Sequence, residues 1–150
     1  MAVWADGVIR GVMDEQGRAL LRVKCFVSEK AQRRLELSKK LIPAPLVVIG
    51  LVDTGCTGMM VSPSVRERLG IQQVNVLSYM SSSGTAEAEF FPLGYSILSS
   101  DDKEVVKRPN VEVGVLGWEP REYSVLIGWD VLQHVRLNYD GPQKRFTLHS

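Results

Sequence analysis

Apolar and polar residues alternate along most of this chain, in short runs separated by turn-forming residues. In residues 19–27 the apolar side chains Leu21, Val23, Cys25 and Val27 fall on every second position, the period of a strand with one buried face. Residues 8–12 form a shorter apolar run, and Asp14-Glu15-Gln16-Gly17 between the two is a turn signal, so an N-terminal hairpin is expected. Residues 28–40 are polar and contain Arg33-Arg34 and Lys39-Lys40. Such a stretch reads either as a patch for nucleic acid or an acidic partner, or as a solvated helix or loop inserted between strands, and the second reading is the simpler. Residues 46–52 are almost purely apolar and rich in Val and Ile, which suits a strand buried on both faces.

Further along, residues 59–62 read as a short strand. Ser62-Pro63 is a helix start, with Ser as N-cap and Pro at the first helical position, and Gly70 stops the helix after Leu69. Apolar runs at 74–80 and 90–98 flank Ser81-Ser82-Ser83-Gly84-Thr85, a small and polar tip, and predict a long hairpin. Residues 99–108 read as a charged turn region. Strands are expected at 111–116 and 123–127, a short helix at 129–135, and a closing hairpin from 136–139 and 145–149 around Asp140-Gly141-Pro142. Many short strands with little helix predict an all-β, closed or barrel-like fold. A length of 150 residues suits one domain spanning 1–150.

Composition narrows the function classes. Hydrophobic residues at 45% and charged residues at 23% are those of an ordinary globular protein. A formal net charge of +1 argues against a phosphate-tracking surface, so nucleic acid is not an expected partner. The longest apolar run, residues 41–52, is interrupted by Pro43, Pro45 and Gly50 and is too short for a membrane span. The N-terminus has no basic segment followed by an apolar one, so the expected location is the cytoplasm. Cys25 and Cys56 form no CxxC pair, and His134 and His149 lie far from both. Neither a disulfide framework nor a metal site is expected.

The feature that most needs a chemical account is a carboxylate, Asp53, at the end of the apolar run 46–52. Burying a carboxylate without partners is costly, so it finds hydrogen bonds or keeps its proton. Thr54 offers a hydroxyl, and Gly55 lets a backbone N–H approach without an intervening Cβ. Asp53-Thr54-Gly55 is a workable holder for a carboxylate aimed into a cleft. The plainer alternative for Asp53 is a turn residue that caps the strand end.

Context carries the reading further. Leu51-Val52-Asp53-Thr54-Gly55-Cys56-Thr57-Gly58 is followed by the Gly84-tipped hairpin. Then come Val125-Leu126-Ile127-Gly128-Trp129-Asp130-Val131-Leu132 and a closing hairpin through Asn138-Tyr139-Asp140-Gly141-Pro142 and Phe146-Thr147-Leu148. Over residues 45–149 this order resembles the retropepsin-like family of aspartic proteases, including its bacterial single-domain members. The first octapeptide is similar to the family's active-site loop. Leu126, Ile127 and Gly128 are similar to its second signature, the segment that passes beside that loop.

The resemblance implies a closed β-barrel, no cofactor, and peptide hydrolysis by a water held between two carboxylates that share one proton. With a single Asp-Thr-Gly in the chain, the second Asp53 has to come from a second copy in a C2 homodimer. Thr54 would then bond across the axis, and Gly55 would donate its N–H to Asp53. Residues 80–87, with Ser83, Gly84 and Thr85 at the tip, would form a flap over an extended peptide or protein substrate. Two positions depart from the family pattern. Cys56 stands where a small residue such as Ala is usual, and its plainer reading is a small buried hydrophobe. Trp129 stands where relatives carry Arg or Met, and it reads as a packing residue.

Three other functions compete. A Ser-His-Asp hydrolase would use His134 or His149, but no Gly-x-Ser-x-Gly is present. A non-catalytic dimeric peptide-binding or scaffolding module of the same fold is the main alternative. A small ligand-binding barrel would leave Asp53 without a role.

Overall fold

In a computed structural model that describes residues 3–4 and 7–150, the alternating runs become strands and the Ser- and Gly-bounded segments become short helices. In chain order these are β1 (Val3–Trp4), β2 (Val8–Val12), β3 (Leu20–Phe26), α1 (Glu29–Leu37), β4 (Leu46–Val52), β5 (Met60–Val61) and α2 (Pro63–Arg68). They are followed by β6 (Asn75–Ser81), β7 (Gly84–Leu98), β8 (Glu104–Val115), β9 (Val125–Ile127), α3 (Trp129–Leu132), β10 (Arg136–Asp140) and β11 (Arg145–His149). Six strands close into a barrel in the order β8-β5-β9-β4-β3-β7, with β7 pairing back onto β8. The fold is the all-β closed barrel with short helices that the residue pattern predicts. β1 and β6 extend this sheet beyond the ring, and β10-β11-β2 form a separate three-stranded sheet.

The barrel closes because alternate residues of its strands are apolar and meet inside. Val23, Phe91, Leu93, Ile97, Val125 and Ile127 are fully enclosed, and each such side chain contributes about 1.5–3 kcal/mol relative to exposure. Two pairings are parallel, β4 with β9 and β5 with β8. The first of these lays Leu51 beside Leu126 and Val52 beside Ile127, which brings the chain after β4 and the chain after β9 to the same end of the barrel. Among the described residues no helix is long and apolar enough to cross a membrane.

Four local expectations are corrected. The N-terminal hairpin shrinks to a single bridge, Met13 to Ala19, around a turn with Gly17 at φ 76°. Beyond it β2 pairs with β11, while both edges of β3 are taken by β4 and β7. Strand β4 is buried on one face only. Val48 points inward, whereas Val47 and Ile49 are 56% and 37% exposed. The charged region 99–108 contributes half a strand, because β8 already begins at Glu104. Leu93 faces Val111 but Tyr95 faces Arg108, so two steps on β7 oppose three on β8. The extra residue falls at 109–110, where Pro109 has no N–H to give the ladder. Finally, Ser62 is the N-cap residue of α2 and Pro63 follows at its first position, as expected, but the Ser62 side chain makes no cap bond. Its place is taken by the Glu119 carboxylate, which accepts from the Ser64 N–H at 3.2 Å and the Ser64 hydroxyl at 2.6 Å.

The other elements form close to where the sequence puts them, although β9 starts only at Val125 and α3 ends at Leu132, short of the strand 123–127 and the helix 129–135 that the pattern predicts. The polar stretch 28–40 holds α1, capped by Ser28, whose Oγ accepts the Ala31 N–H at 3.2 Å, and no α1 residue is fully buried. The long hairpin pairs Asn75 with Phe90 through Ser81 with Gly84. Its two-residue turn is Ser82-Ser83, and Gly84 follows at φ 118°, a conformation that side chains strain to adopt.

Candidate active site

Asp53 is the first residue after β4, and its position is set by the strand that runs beside it. Its N–H donates to the Ile127 carbonyl at 3.0 Å, continuing the β4–β9 ladder by one step. The chain then turns back on itself. The Gly55 N–H donates to Asp53 Oδ1 at 3.0 Å, and the Cys56 N–H donates to the Asp53 carbonyl at 3.2 Å. One carboxylate oxygen is thus held by a backbone donor, and Asp53 itself is half-buried. Thr54 is exposed, and its hydroxyl bonds nothing among the described residues.

The segment after β9 locks this loop from behind. The Trp129 N–H donates to the Cys56 carbonyl at 2.8 Å, and the Asp130 N–H donates to the Thr57 carbonyl at 3.2 Å. These bonds require Gly128 to lie flat against the loop. A Cβ there would stand 2.6 Å from the Cys56 oxygen and 2.8 Å from the Gly58 oxygen. Its φ of −101° is open to any residue, so space and not backbone freedom demands the glycine. Leu126 and Ile127 are buried beside Leu51 and Val52.

Asp53 faces an open cleft of about 530 Å³ walled by residues 17–19 and 51–54, with Leu137 and Tyr139 opposite. The Tyr139 hydroxyl donates to the Gly17 carbonyl at 2.8 Å and ties β10 to the turn before β3. Arg18 forms the edge of the cleft, paired with Asp14 at 2.6 Å and with Glu122. Backbone and side-chain bonds from Arg18 hold the Asp14 carboxyl below its ordinary value. Asp53, Thr54, Gly55, Leu126, Ile127 and Gly128 are therefore brought together. Ser83, Gly84 and Thr85 are not: they sit at the hairpin turn and line no part of this cleft.

The two departures from the family pattern turn out differently from their plainer readings. Cys56 is half-buried, and its thiol donates to the Gly58 carbonyl at 2.9 Å. Burial pushes this thiol up, and the neighbouring Asp53 and Asp130 charges add to the effect. The fully buried cysteine is Cys25, pushed up to about 12 by desolvation. Trp129 is 59% exposed, because its backbone is committed to the loop while its ring is turned out.

A polar cluster behind the loop went unread in the sequence. Asp130 lies 3.8 Å from Arg108, and Tyr95 is paired with Arg108 across β7 and β8. The Tyr95 hydroxyl and Asp130 Oδ1 are both sealed from solvent and make no hydrogen bond of good geometry among the described residues, although Arg108 stands close enough to the Tyr95 hydroxyl to act on it by charge and by a loose hydrogen bond. Burial pushes the Tyr95 phenol up to about 12, against the pull of the Arg108 charge. The available signal was Asp130, an acid two residues beyond Gly128. Its partner was hidden in what reads as a charged turn.

Among solved structures, the chain is similar to a retropepsin-like aspartic protease from Rickettsia conorii. The TM-score is 0.61 and the identity 15%, over 99% of this chain and 94% of that one. This defines the fold as retropepsin-like. No protein-family model and no curated protein sequence matches the chain.

Proposed function

We propose that the chain is an aspartic endopeptidase that works as a homodimer, each copy supplying one Asp53. The observation that carries this reading is the Asp53 loop itself. A carboxylate is held at a strand end by the Gly55 N–H, in an open cleft, on a loop pinned by Gly128. A structural cap would not need a cleft in front of it. The exposed Thr54 hydroxyl, without a partner among the described residues of its own chain, suits a bond across a two-fold axis.

In the dimer the two carboxyls hold one water and one proton. The ionised Asp53 takes a proton from the water as its oxygen attacks the peptide carbonyl carbon, and the protonated Asp53 gives its proton to the carbonyl oxygen. Collapse of the tetrahedral intermediate breaks the C–N bond, and the amine leaves with a proton from the dyad. No covalent enzyme intermediate forms. The hairpin tip of Ser83, Gly84 and Thr85 would close over an extended peptide and pair with its main chain. β11 is paired on both edges, by β10 and β2, so any strand pairing between copies falls to other edges.

Peptide-library cleavage is the test. The wild-type chain is expected to cleave, best at mildly acidic pH, and Asp53→Asn to lose about 10²–10⁴-fold or more of that rate while its oligomeric state is unchanged. Full activity in Asp53→Asn would end the protease reading. A dimer inert toward broad libraries would favour a peptide-binding module.

A further inference from the structure

The polar stretch that reads as a solvated insert has a second side. Residues 28–40 carry five basic and two acidic side chains, a local excess of +3 in a chain whose total is +1. Ala31 and Leu35 pack α1 onto the barrel core, but the contact is incomplete. Between α1, the following loop and residues 69–73 runs a groove of about 280 Å³, with Leu35, Leu41, Pro43, Ile71 and Pro92 among its apolar walls. Leu41 is 94% exposed and Leu37, at the end of α1, is 86% exposed. Leu41 is itself a wall of the groove, so its exposure joins the trough into one open apolar patch of the kind that marks an interaction site.

Charge says what the cover is. Arg33 is paired with Glu29, whereas Lys30, Arg34, Lys39 and Lys40 have no carboxylate partner among the described residues. Arg34 stands on the groove itself. An apolar trough with an uncommitted arginine on its wall, in a segment that carries three further uncommitted lysines, is complementary to a chain that alternates apolar anchors with carboxylates. The groove is concave and holds a few side chains, which favours a peptide segment over the flat face of a bilayer.

We propose that α1 and the loop after it form a docking surface for an acidic peptide segment bearing leucine-sized anchors. The groove shares no residue with the Asp53 cleft. It lies at the opposite end of β4, a seven-residue strand that spans roughly 20 Å. A segment bound here leaves the cleft open, so the surface recruits a protein by a part other than the one at Asp53. Binding at this face stands whether or not the chain cleaves peptides.

Fluorescence anisotropy with Asp53→Asn protein keeps the two questions apart. The probe is a fluorescein-labelled peptide of Glu, Asp and Leu, set against a counterpart with Lys in place of every acid. The acidic peptide is expected to bind saturably and to weaken with salt, while the basic one does not bind. Leu41→Ser should weaken binding about tenfold, the loss expected for one leucine anchor. Arg34→Gln should weaken it a few-fold. Both positions are exposed, and matching circular dichroism spectra check that the variants fold. Equal binding of the two peptides, or indifference to both substitutions, overturns the proposal. So does no saturable binding up to about 1 mM, or substitution-sensitive binding to anionic vesicles without binding to the peptide.

Discussion

A β-carbon on Gly128 would stand 2.6 Å from the carbonyl oxygen of Cys56, inside any real contact between such atoms. The obstacle is backbone on both sides, so neither a rotamer change nor a flexible tip relieves it. Gly128→Ala is expected to push the Asp53 loop away from α3. It should destabilise the fold by about 1–3 kcal/mol, as overpacking does, read by urea denaturation. On the proposed function, peptide cleavage falls further than stability, because a carboxylate displaced by about 1 Å loses on the order of 10²-fold in rate. A Gly128→Ala protein with wild-type stability and rate would show that the loop does not depend on this contact.

The Asp53 loop and its glycine were readable in the sequence because both are local: a strand end, a turn, and a tripeptide followed at a distance by Leu126-Ile127-Gly128. The hairpin 74–98 and the closing hairpin were readable for the same reason, since alternation and turn residues sit within one short window. What the sequence did not disclose is pairing between distant segments. Nothing near residues 8–12 says that their partner is β11 rather than β3. The alternation that marks a strand is blind to which strand lies beside it. The exposure of Val47 and Ile49 is of the same kind, because an apolar run reads as buried until the sheet's outer face is known. Arg108, beside Asp130, was lost in the charged stretch 99–108, which reads as a turn.

The Tyr95 hydroxyl gives a prediction that runs against intuition. A buried hydroxyl without a hydrogen bond is a cost, so removing it should help. Tyr95→Phe keeps the buried ring in the core and is expected to raise stability by up to about 1 kcal/mol, less whatever the loose Arg108 contact contributes. Denaturation midpoints of the two proteins check this. A clear loss of stability would mean that the hydroxyl has a partner, such as a trapped water beside Asp130.

Lys24 and Glu104, 2.5 Å apart across the barrel wall, tie stability to pH. The Lys24 hydrogen bond is the main reason that the Glu104 carboxyl sits below its ordinary value. A carboxyl with a lowered folded pKa stabilises the fold above its unfolded value, and that contribution is lost as pH falls through the folded one. Lys24→Met should therefore cost about 0.5–1 kcal/mol at neutral pH, a figure discounted for the pair's partial exposure. The difference from wild type should shrink as pH drops below about 4. A difference that stays constant with pH would assign the effect of Lys24 to packing.

The central claim is that each Asp53 is half of one catalytic site, and subunit mixing tests it most directly. Wild-type and Asp53→Asn chains are unfolded together, refolded in varying ratio, and assayed for peptide cleavage at fixed total protein. If both copies supply the dyad, only wild-type pairs are active, and activity follows the square of the wild-type fraction. About one quarter then remains at equal mixing, as two-fold pairing of unlike chains requires. Activity that falls in simple proportion, leaving about one half, would mean that each chain carries a complete site and would contradict the shared dyad.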